Sequence, residues 1–289
     1  MVRKMDAPKF LLDANIFRRL GEGKLATYEE RLLQIAKSKT PPLFWVCPIT
    51  LEELFGNLRG GKPEEFLRIQ AALAWTNRLC GVEGIAEALE WIIKRGLFVN
   101  AQPYDRELSF AFDSARRPVL EAATFEDIPS DVIDAVRATS TIHFANKEKW
   151  LPSRVALIEE AKRPPDPDKP LTDTTTLVTN TSVAVLRRRH EADRVLWGEF
   201  KSAEDQAIEL RELFAFDMWH LDQAAEHADY NVKKRKGDNN DRWLCAYPAA
   251  GYELVTFDAG IFNASTKCEN PRVRTLDDAI DRAQTWLST

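Results

Sequence analysis

The sequence predicts an α/β fold, a parallel sheet sandwiched by helices, with an all-helical insertion. Strand and helix patterns alternate before residue 116 and again after residue 230. The hydrophobic runs at 9–12, 43–49 and 252–256 are short, and residues 43–47 are continuously apolar, as expected for a strand buried on both faces. Between these regions, residues 116–230 carry almost no strand signal. Alternating strands and helices are typical of a parallel sheet covered by helices.

The first half supplies most of the predicted α/β elements. A strand at 9–12 leads into a helix at 15–20, and a second helix runs from Thr27 to Lys37. The strand at 43–49 follows a proline pair, and Thr50 then opens a third helix. Amphipathic helices are predicted near 63–79 and 84–95, a short strand at 97–100, and a helix near 105–115.

The middle of the chain predicts helices at 131–162 and 172–230. A proline-rich stretch at 162–170 separates them, and no helix could cross it. Within the second region, residues 203–227 form a strongly amphipathic segment. We therefore expect residues 1–115 and 231–289 to form one α/β domain, and residues 116–230 to form a helical insertion. An insertion of this size suits binding of a protein partner or self-association.

The composition of the chain limits the classes of protein to which it can belong. The 289 residues are 44% hydrophobic and 29% charged, which is ordinary for a soluble globular protein. No apolar run reaches the roughly 20 residues that span a bilayer, and the N-terminus lacks the apolar region of a signal peptide, so we expect a cytoplasmic protein without a membrane partner. Four cysteines without metal-type spacing predict buried thiols.

The net charge of −5 argues against a protein that coats nucleic acid non-specifically. Two basic runs stand out, at 187–189 and 233–236. Either run could be a solvated helix end. The second run directly precedes Asp238 and Asp241, which favours phosphate contact there.

Acidic residues recur where the predicted elements begin or end. Asp13 follows the first strand, Glu52 and Glu53 lie in the helix that Thr50 opens, and Asp258 follows the strand at 252–256. Asp241 lies at the start of a short helix. In α/β folds ligands collect at strand carboxyl ends and helix N-termini, so we expect these acids to share one site. Alone, each has a structural alternative: a helix cap for Asp13, a first-turn glutamate for Glu53 and a turn residue for Asp258.

Three successive segments resemble the motifs of PIN domains, which are metal-dependent nucleases. These segments are LLDANIF, ITLEELFGN and NDRWLCAYPAAGYELVTFDAGIF, the last with the family's TxD ending at Thr256 and Asp258. The resemblance covers residues 8–60 and 236–262, extends loosely over 61–115, and fails in the middle of the chain. Pro248 departs from the family's commoner alanine-rich helix.

The resemblance implies a ligand set for Mg²⁺ or Mn²⁺, and hard cations of this kind prefer oxygen ligands. The implied ligands are four carboxylates, with Asp238 as a fifth acid or a helix cap: Asp13, Glu53, Asp241 and Asp258. The family pattern selects Glu53 over Glu52. It also implies that Asn15 and Thr256 support the ligands and the attacking water.

The implied function is a metal-dependent endoribonuclease acting on single-stranded or structured RNA, leaving a 5′-phosphate and a 3′-hydroxyl. One alternative is a non-catalytic PIN-like module that binds RNA or protein. Another is a haloacid-dehalogenase-type phosphatase, which also places an aspartate after its first strand. That chemistry needs a second acid two residues later, where this chain has Asn15.

Overall fold

The computed structural model describes residues 7–37, 42–56, 58, 62–100, 107–135, 174–226 and 238–289, with only the backbone at 107–109, 174–177 and 238–239. Its centre is a four-stranded sheet in the order β2-β1-β3-β4, and all strand pairs are parallel. The strands are β1 (Phe10–Leu12), β2 (Phe44–Trp45), β3 (Glu253–Val255) and β4 (Val273–Arg274). The prediction of a parallel sheet covered by helices is confirmed.

Helices connect and cover the strands. Before β3 they are α1 (Ala14–Gly21), α2 (Ala26–Ala36), α3 (Pro48–Gly56), α4 (Pro63–Leu79), α5 (Leu89–Leu97), α6 (Glu107–Glu121), α7 (described over 130–135), α8 (Thr174–Arg189), α9 (Arg194–Trp197), α10 (Ala203–Glu209), α11 (Arg211–Glu226) and α12 (Asp238–Leu244). After β3 follow α13 (Ala259–Ser265) and α14 (Leu276–Leu287).

The two faces of the sheet belong to two hydrophobic clusters. Successive side chains of a strand point to opposite faces, so Phe10 and Leu12 join one cluster and Leu11 joins the other. The first cluster also contains residues of α1, α2, α4 and α14, and the second contains residues of α5, α11 and α13. The described part of the chain is therefore a three-layer structure with helices on both faces of the sheet.

The strand order creates a crevice at the carboxyl ends of β1 and β3. The chain passes from β1 to β2 on one side, whereas β3 lies on the other side of β1. The helices that follow these two strands consequently pack on opposite faces, α1 in the first cluster and α13 in the second. A parallel sheet typically binds its ligand at such a topological switch point.

Part of the predicted insertion belongs to this layered structure. Leu213, Phe214 and Phe216 of α11 are buried in the same cluster as Leu11 and Leu254 of the strands. The helix α11 also packs along α13. The division into residues 1–115 with 231–289 and an insertion at 116–230 stays a prediction, but α11 covers one face of the sheet directly.

The predicted strand at 97–100 is wrong, because α5 continues to Leu97 and Phe98 makes only an isolated antiparallel bridge to Phe200. The helix predicted from 84 starts later, at Leu89. At Gly84 a Cβ atom would lie 2.8 Å from the carbonyl oxygen of Phe44, so this turn passes close to β2, and the next residue, Ile85, makes a parallel bridge to Val46.

Other sequence-based predictions need correction or lie outside the described residues. The segment 203–227 forms two helices, α10 and α11, that meet at Leu210. The two-residue strand β4 was not predicted. Most of the helix predicted at 131–162, together with the basic run 233–236, lies outside the described residues.

None of the helices in the described part of the chain has the length and apolar character required to cross a membrane.

Candidate functional site

The carboxylate of Asp13 is the centre of the candidate site. Asp13 directly follows β1, and its side chain is almost completely buried, with 2% exposed. Its backbone occupies the N-cap position of α1, with φ −73° and ψ 157°, yet its side chain makes no capping hydrogen bond. The Asp13 carboxylate therefore bonds to groups other than the first turn of α1, and helix capping does not explain why it is buried.

Two of the predicted supporting residues hold the Asp13 carboxylate. The Thr256 hydroxyl donates a hydrogen bond to Oδ2 of Asp13 over 2.9 Å, and the Asn15 amide donates to the same oxygen over 3.3 Å. The backbone N–H of Asp258 in turn donates to the Thr256 hydroxyl oxygen over 2.9 Å. This chain of hydrogen bonds fixes Asp13 relative to the loop that carries Asp258.

Two other predicted acids lie close enough to act on Asp13. The pKa of Asp13 is raised from 3.8 to about 6, chiefly by burial and then by the nearby carboxylates of Glu53 and Asp258, and against the lowering effect of hydrogen bonds from Thr256 and the Ala14 backbone. Like charges disfavour the ionised form of a neighbour. The structure thus brings together three of the four predicted carboxylates, at the carboxyl ends of β1 and β3 and on α3.

Asp258 has a structural role beside its place in the site. Its Oδ1 accepts a hydrogen bond from the backbone N–H of Ile261 over 2.9 Å, so it caps α13. The indole of Trp219 covers the same turn, because a Cβ atom added to Gly260 would lie 2.8 Å from Cη2 of Trp219 and 3.0 Å from Oδ1 of Asp258. Asp258 therefore both stabilises the turn at the start of α13 and lies near Asp13.

Asp241 is placed on a neighbouring element. It is half-buried in α12, and α12 packs against α3, the helix of Glu53. The next residue, Arg242, makes a bidentate ion pair with Asp217 over 2.6 and 2.7 Å, and this pair connects α12 to α11. Asp238 begins α12, and its side chain lies outside the described residues. Metal binding by Asp241 and Asp238 stays a prediction.

Two arginines at the site were not singled out from the sequence. Nη1 of Arg18 donates to Oε1 of Glu53 over 2.8 Å, and both side chains are about one-third exposed, at 31% and 28%. The guanidinium of Arg19 lies over the ring of Phe257, 4.5 Å from its centroid. The only sequence signal for both arginines was their position in the last turn of α1, where basic residues commonly interact favourably with the helix dipole.

A second polar cluster lies between α5 and the segment after α8. Ligand atoms of Glu90, His190 and Asp193 lie within 4.8 Å of one another. The ammonium of Lys94 already bridges this cluster, at 3.0 Å from Glu90 and 2.8 Å from Asp193, and His190 is 2.8 Å from Asp193. Because Lys94 supplies the compensating positive charge, the cluster is satisfied as an ion-pair network.

The donor set around Asp13 fits a hydrated divalent ion. All of its side-chain donors are oxygens of carboxylates, a hydroxyl and an amide, which suits Mg²⁺ or Mn²⁺. Among the described residues these carboxylates do not crowd within 4.8 Å as the Glu90 group does. Mg²⁺ retains several of its waters and reaches some ligands through them, so the wider spacing is compatible with it.

Comparison with known proteins adds no assignment. No protein-family model matches the chain, and neither the curated proteins nor the solved structures yield a significant match.

Proposed function

We propose that this protein is a metal-dependent endoribonuclease with a PIN-like catalytic domain. One observation carries the proposal: a buried aspartate at the topological switch point, held by Thr256 and Asn15, lies beside the carboxylates of Glu53 and Asp258. A carboxylate that is buried among like charges is stabilised by a cation. The order of the three motifs along the chain supports the same function.

Asp13, Glu53 and Asp258 would hold Mg²⁺ or Mn²⁺, with Asp241 and Asp238 contributing from α12. A divalent ion there supplies a Lewis acid for the phosphodiester and lowers the pKa of a coordinated water. The protein's own part is to orient the oxygens. Thr256 and Asn15 both donate to Oδ2 of Asp13, which holds the carboxylate in one orientation for the cation.

The ion pair of Arg18 with Glu53 serves the same purpose on the other side of the site. Arg18 uses Oε1 of Glu53 and also approaches the Glu53 carbonyl oxygen at 3.5 Å, so its guanidinium spans the side chain and the backbone. The second carboxylate oxygen of Glu53 then has a fixed direction. Hydrogen bonds of this kind to ligating carboxylates typically change metal affinity by 10- to 100-fold.

The test is cleavage of labelled single-stranded RNA and DNA by the purified protein, with Mn²⁺ or with excess chelator. We expect RNA cleavage with Mn²⁺, products ending in 5′-phosphate and 3′-hydroxyl, and a loss of at least 100-fold in the Asp258→Asn variant. Asparagine retains the capping oxygen, so the variant stays folded. Asp281→Asn is the matched control, because Asp281 is 70% exposed and pairs with Arg31 away from the site.

The alternative, a non-catalytic PIN-like module that binds RNA or protein, makes a different prediction. RNA binding without any Mn²⁺-dependent cleavage would favour it and would refute the nuclease. A protein partner or self-association through residues 116–230 and a cytoplasmic location stay predictions.

A further inference from the structure

Arg19 and Phe257 form a cation–π pair at the edge of the acidic site. Phe257 lies between Thr256 and Asp258 in the chain, and both of these residues belong to the site. Its ring is half-buried and packs against the first hydrophobic cluster. Arg19 is exposed on α1, and its guanidinium lies 4.5 Å from the centre of that ring. The aromatic ring thus holds the exposed guanidinium next to the Asp258 loop.

The charge of Arg19 is not neutralised by the described part of the protein. Its side chain has no ion pair and no hydrogen bond with another described residue, and its contact is the ring of Phe257. The adjacent Arg18, in contrast, is neutralised by Glu53 at 2.8 Å. Structural ion pairing therefore explains the presence of Arg18 beside the carboxylates, but it does not explain that of Arg19.

We propose that Arg19, positioned over the ring of Phe257, binds a backbone phosphate of single-stranded nucleic acid next to the cleavage site. The proposal rests on the nuclease function proposed above and specifies how its substrate is held. The acidic site repels a polyanion until a cation is bound, so a positive group at its edge is required to retain the strand. A guanidinium matches phosphate oxygens with two parallel N–H donors, and stacking restricts its orientation before binding.

A single strand is favoured over a duplex because the pair also offers a stacking surface. The outer face of a guanidinium can accept an unpaired base, as arginine and aromatic side chains commonly do in RNA recognition. In a duplex the bases are already stacked on one another. The phosphate contact does not depend on base identity, so this position does not read sequence.

The experiment measures binding of a fluorescent, unstructured single-stranded RNA by anisotropy, in chelator, over a series of salt concentrations. One phosphate contact fewer reduces the slope of log K against log salt by about 0.7 for a single strand. For Arg19→Gln we expect that change together with a 3- to 10-fold loss of affinity. Arg19→Lys should retain the slope, because lysine keeps the charge, and should recover only part of the affinity.

Arg78→Gln is the matched control. Arg78 is likewise exposed, lies over an aromatic ring at 5.2 Å from the centre of Trp75, and has no ion pair with another described residue. It belongs to α4, which carries none of the site acids. An unchanged salt slope in Arg19→Gln, or an equal change in Arg78→Gln, would overturn the proposal.

Cleavage kinetics separate this proposal from the proposed function. We expect Arg19→Gln to raise KM with kcat nearly unchanged, because a contact made equally in the ground and transition states affects binding alone. If the parent cleaves RNA and Arg19→Gln binds and cleaves like the parent, only the Arg19 proposal fails. If the parent binds but does not cleave, and Arg19→Gln still lowers the slope, Arg19 is retained and the nuclease function fails. A parent that neither binds nor cleaves refutes both.

Discussion

Replacing Asp13 by asparagine should stabilise the metal-free protein at neutral pH. The carboxylate of Asp13 is 2% exposed, and burial together with the carboxylates of Glu53 and Asp258 raises its pKa from 3.8 to about 6. Each pKa unit corresponds to ~1.4 kcal/mol, so ionising Asp13 in the folded state costs about 3 kcal/mol. Asparagine removes this charge, and its carbonyl oxygen can still accept from Thr256 and Asn15.

The sign of the pH dependence follows from proton binding. Between pH 3.8 and 6 the folded protein holds a proton on Asp13 that the unfolded chain has released. The stabilisation from that proton is complete below about pH 3.8 and is lost as the pH rises through about 6. In chelator we therefore expect the variant and the parent to differ little at pH 4. By pH 7.5 the variant should be more stable by up to ~3 kcal/mol, or about 5–10 °C in melting temperature for a chain of this size.

The assay is thermal or urea unfolding of both proteins across this pH range, in chelator and in Mn²⁺. Saturating Mn²⁺ at 100 times its Kd stabilises a protein by about 2.7 kcal/mol, and this gain should shrink in the variant. Asp281→Asn, on the exposed ion pair with Arg31, should change stability by less than ~0.5 kcal/mol at every pH. A metal-free Asp13→Asn protein that is less stable at pH 7.5, with no pH dependence in the difference, would refute this reasoning and show that the Asp13 carboxylate stabilises the fold through its hydrogen bonds with Thr256 and Asn15.

Three further substitutions test one buried hydrogen bond and two features of the site by urea unfolding. Tyr252→Phe should cost about 1–3 kcal/mol, since the Tyr252 hydroxyl donates over 2.6 Å to the buried carboxylate of Glu87; an unchanged midpoint would contradict this. Gly260→Ala should destabilise by about 1–3 kcal/mol despite alanine's helix propensity, because the new Cβ lies 2.8 Å from Trp219; a stabilised variant would show that the indole moves aside at little cost. Asp258→Ala should lose about 1 kcal/mol as the α13 cap is removed, whereas Asp258→Asn should not; equal losses would argue against the cap.

The sequence was sufficient for the architecture wherever burial alone decides it. The strands β1 and β2 are continuously apolar and β3 is apolar after Glu253, because both faces of the sheet are covered, and such short runs are visible without a structure. The expected proximity of Asp13 and Asp258 followed from the rule that strand carboxyl ends share one edge of a parallel sheet, whereas Glu53, on α3, was selected by the family resemblance. Their hydrogen-bond partners Thr256 and Asn15 were included because the family resemblance implied them.

The features that could not be predicted from the sequence depend on contacts between residues that are far apart in the chain. The apolar residues at 97–100 predicted a strand, but Leu97 completes α5 and Phe98 stacks on Phe200, more than 100 positions later, at 4.6 Å between ring centres. The residues around 97–100 do not by themselves distinguish a strand from the end of a helix. Likewise, Arg18 has no sequence feature that links it to Glu53, which lies 35 residues away.

Glu53 shows how charge and geometry combine at the site. It raises the pKa of Asp13 and at the same time pairs with Arg18, so one carboxylate is held between a buried acid and a guanidinium. If Arg18 only neutralised Glu53, removing it would increase the negative charge of the site and tighten Mn²⁺ binding. If Arg18 orients Glu53, its removal weakens Mn²⁺ binding in spite of the added negative charge. The contact of Arg18 with both the side chain and the backbone of Glu53 favours orientation. The direction in which Mn²⁺ affinity moves in Arg18→Gln therefore distinguishes the two roles.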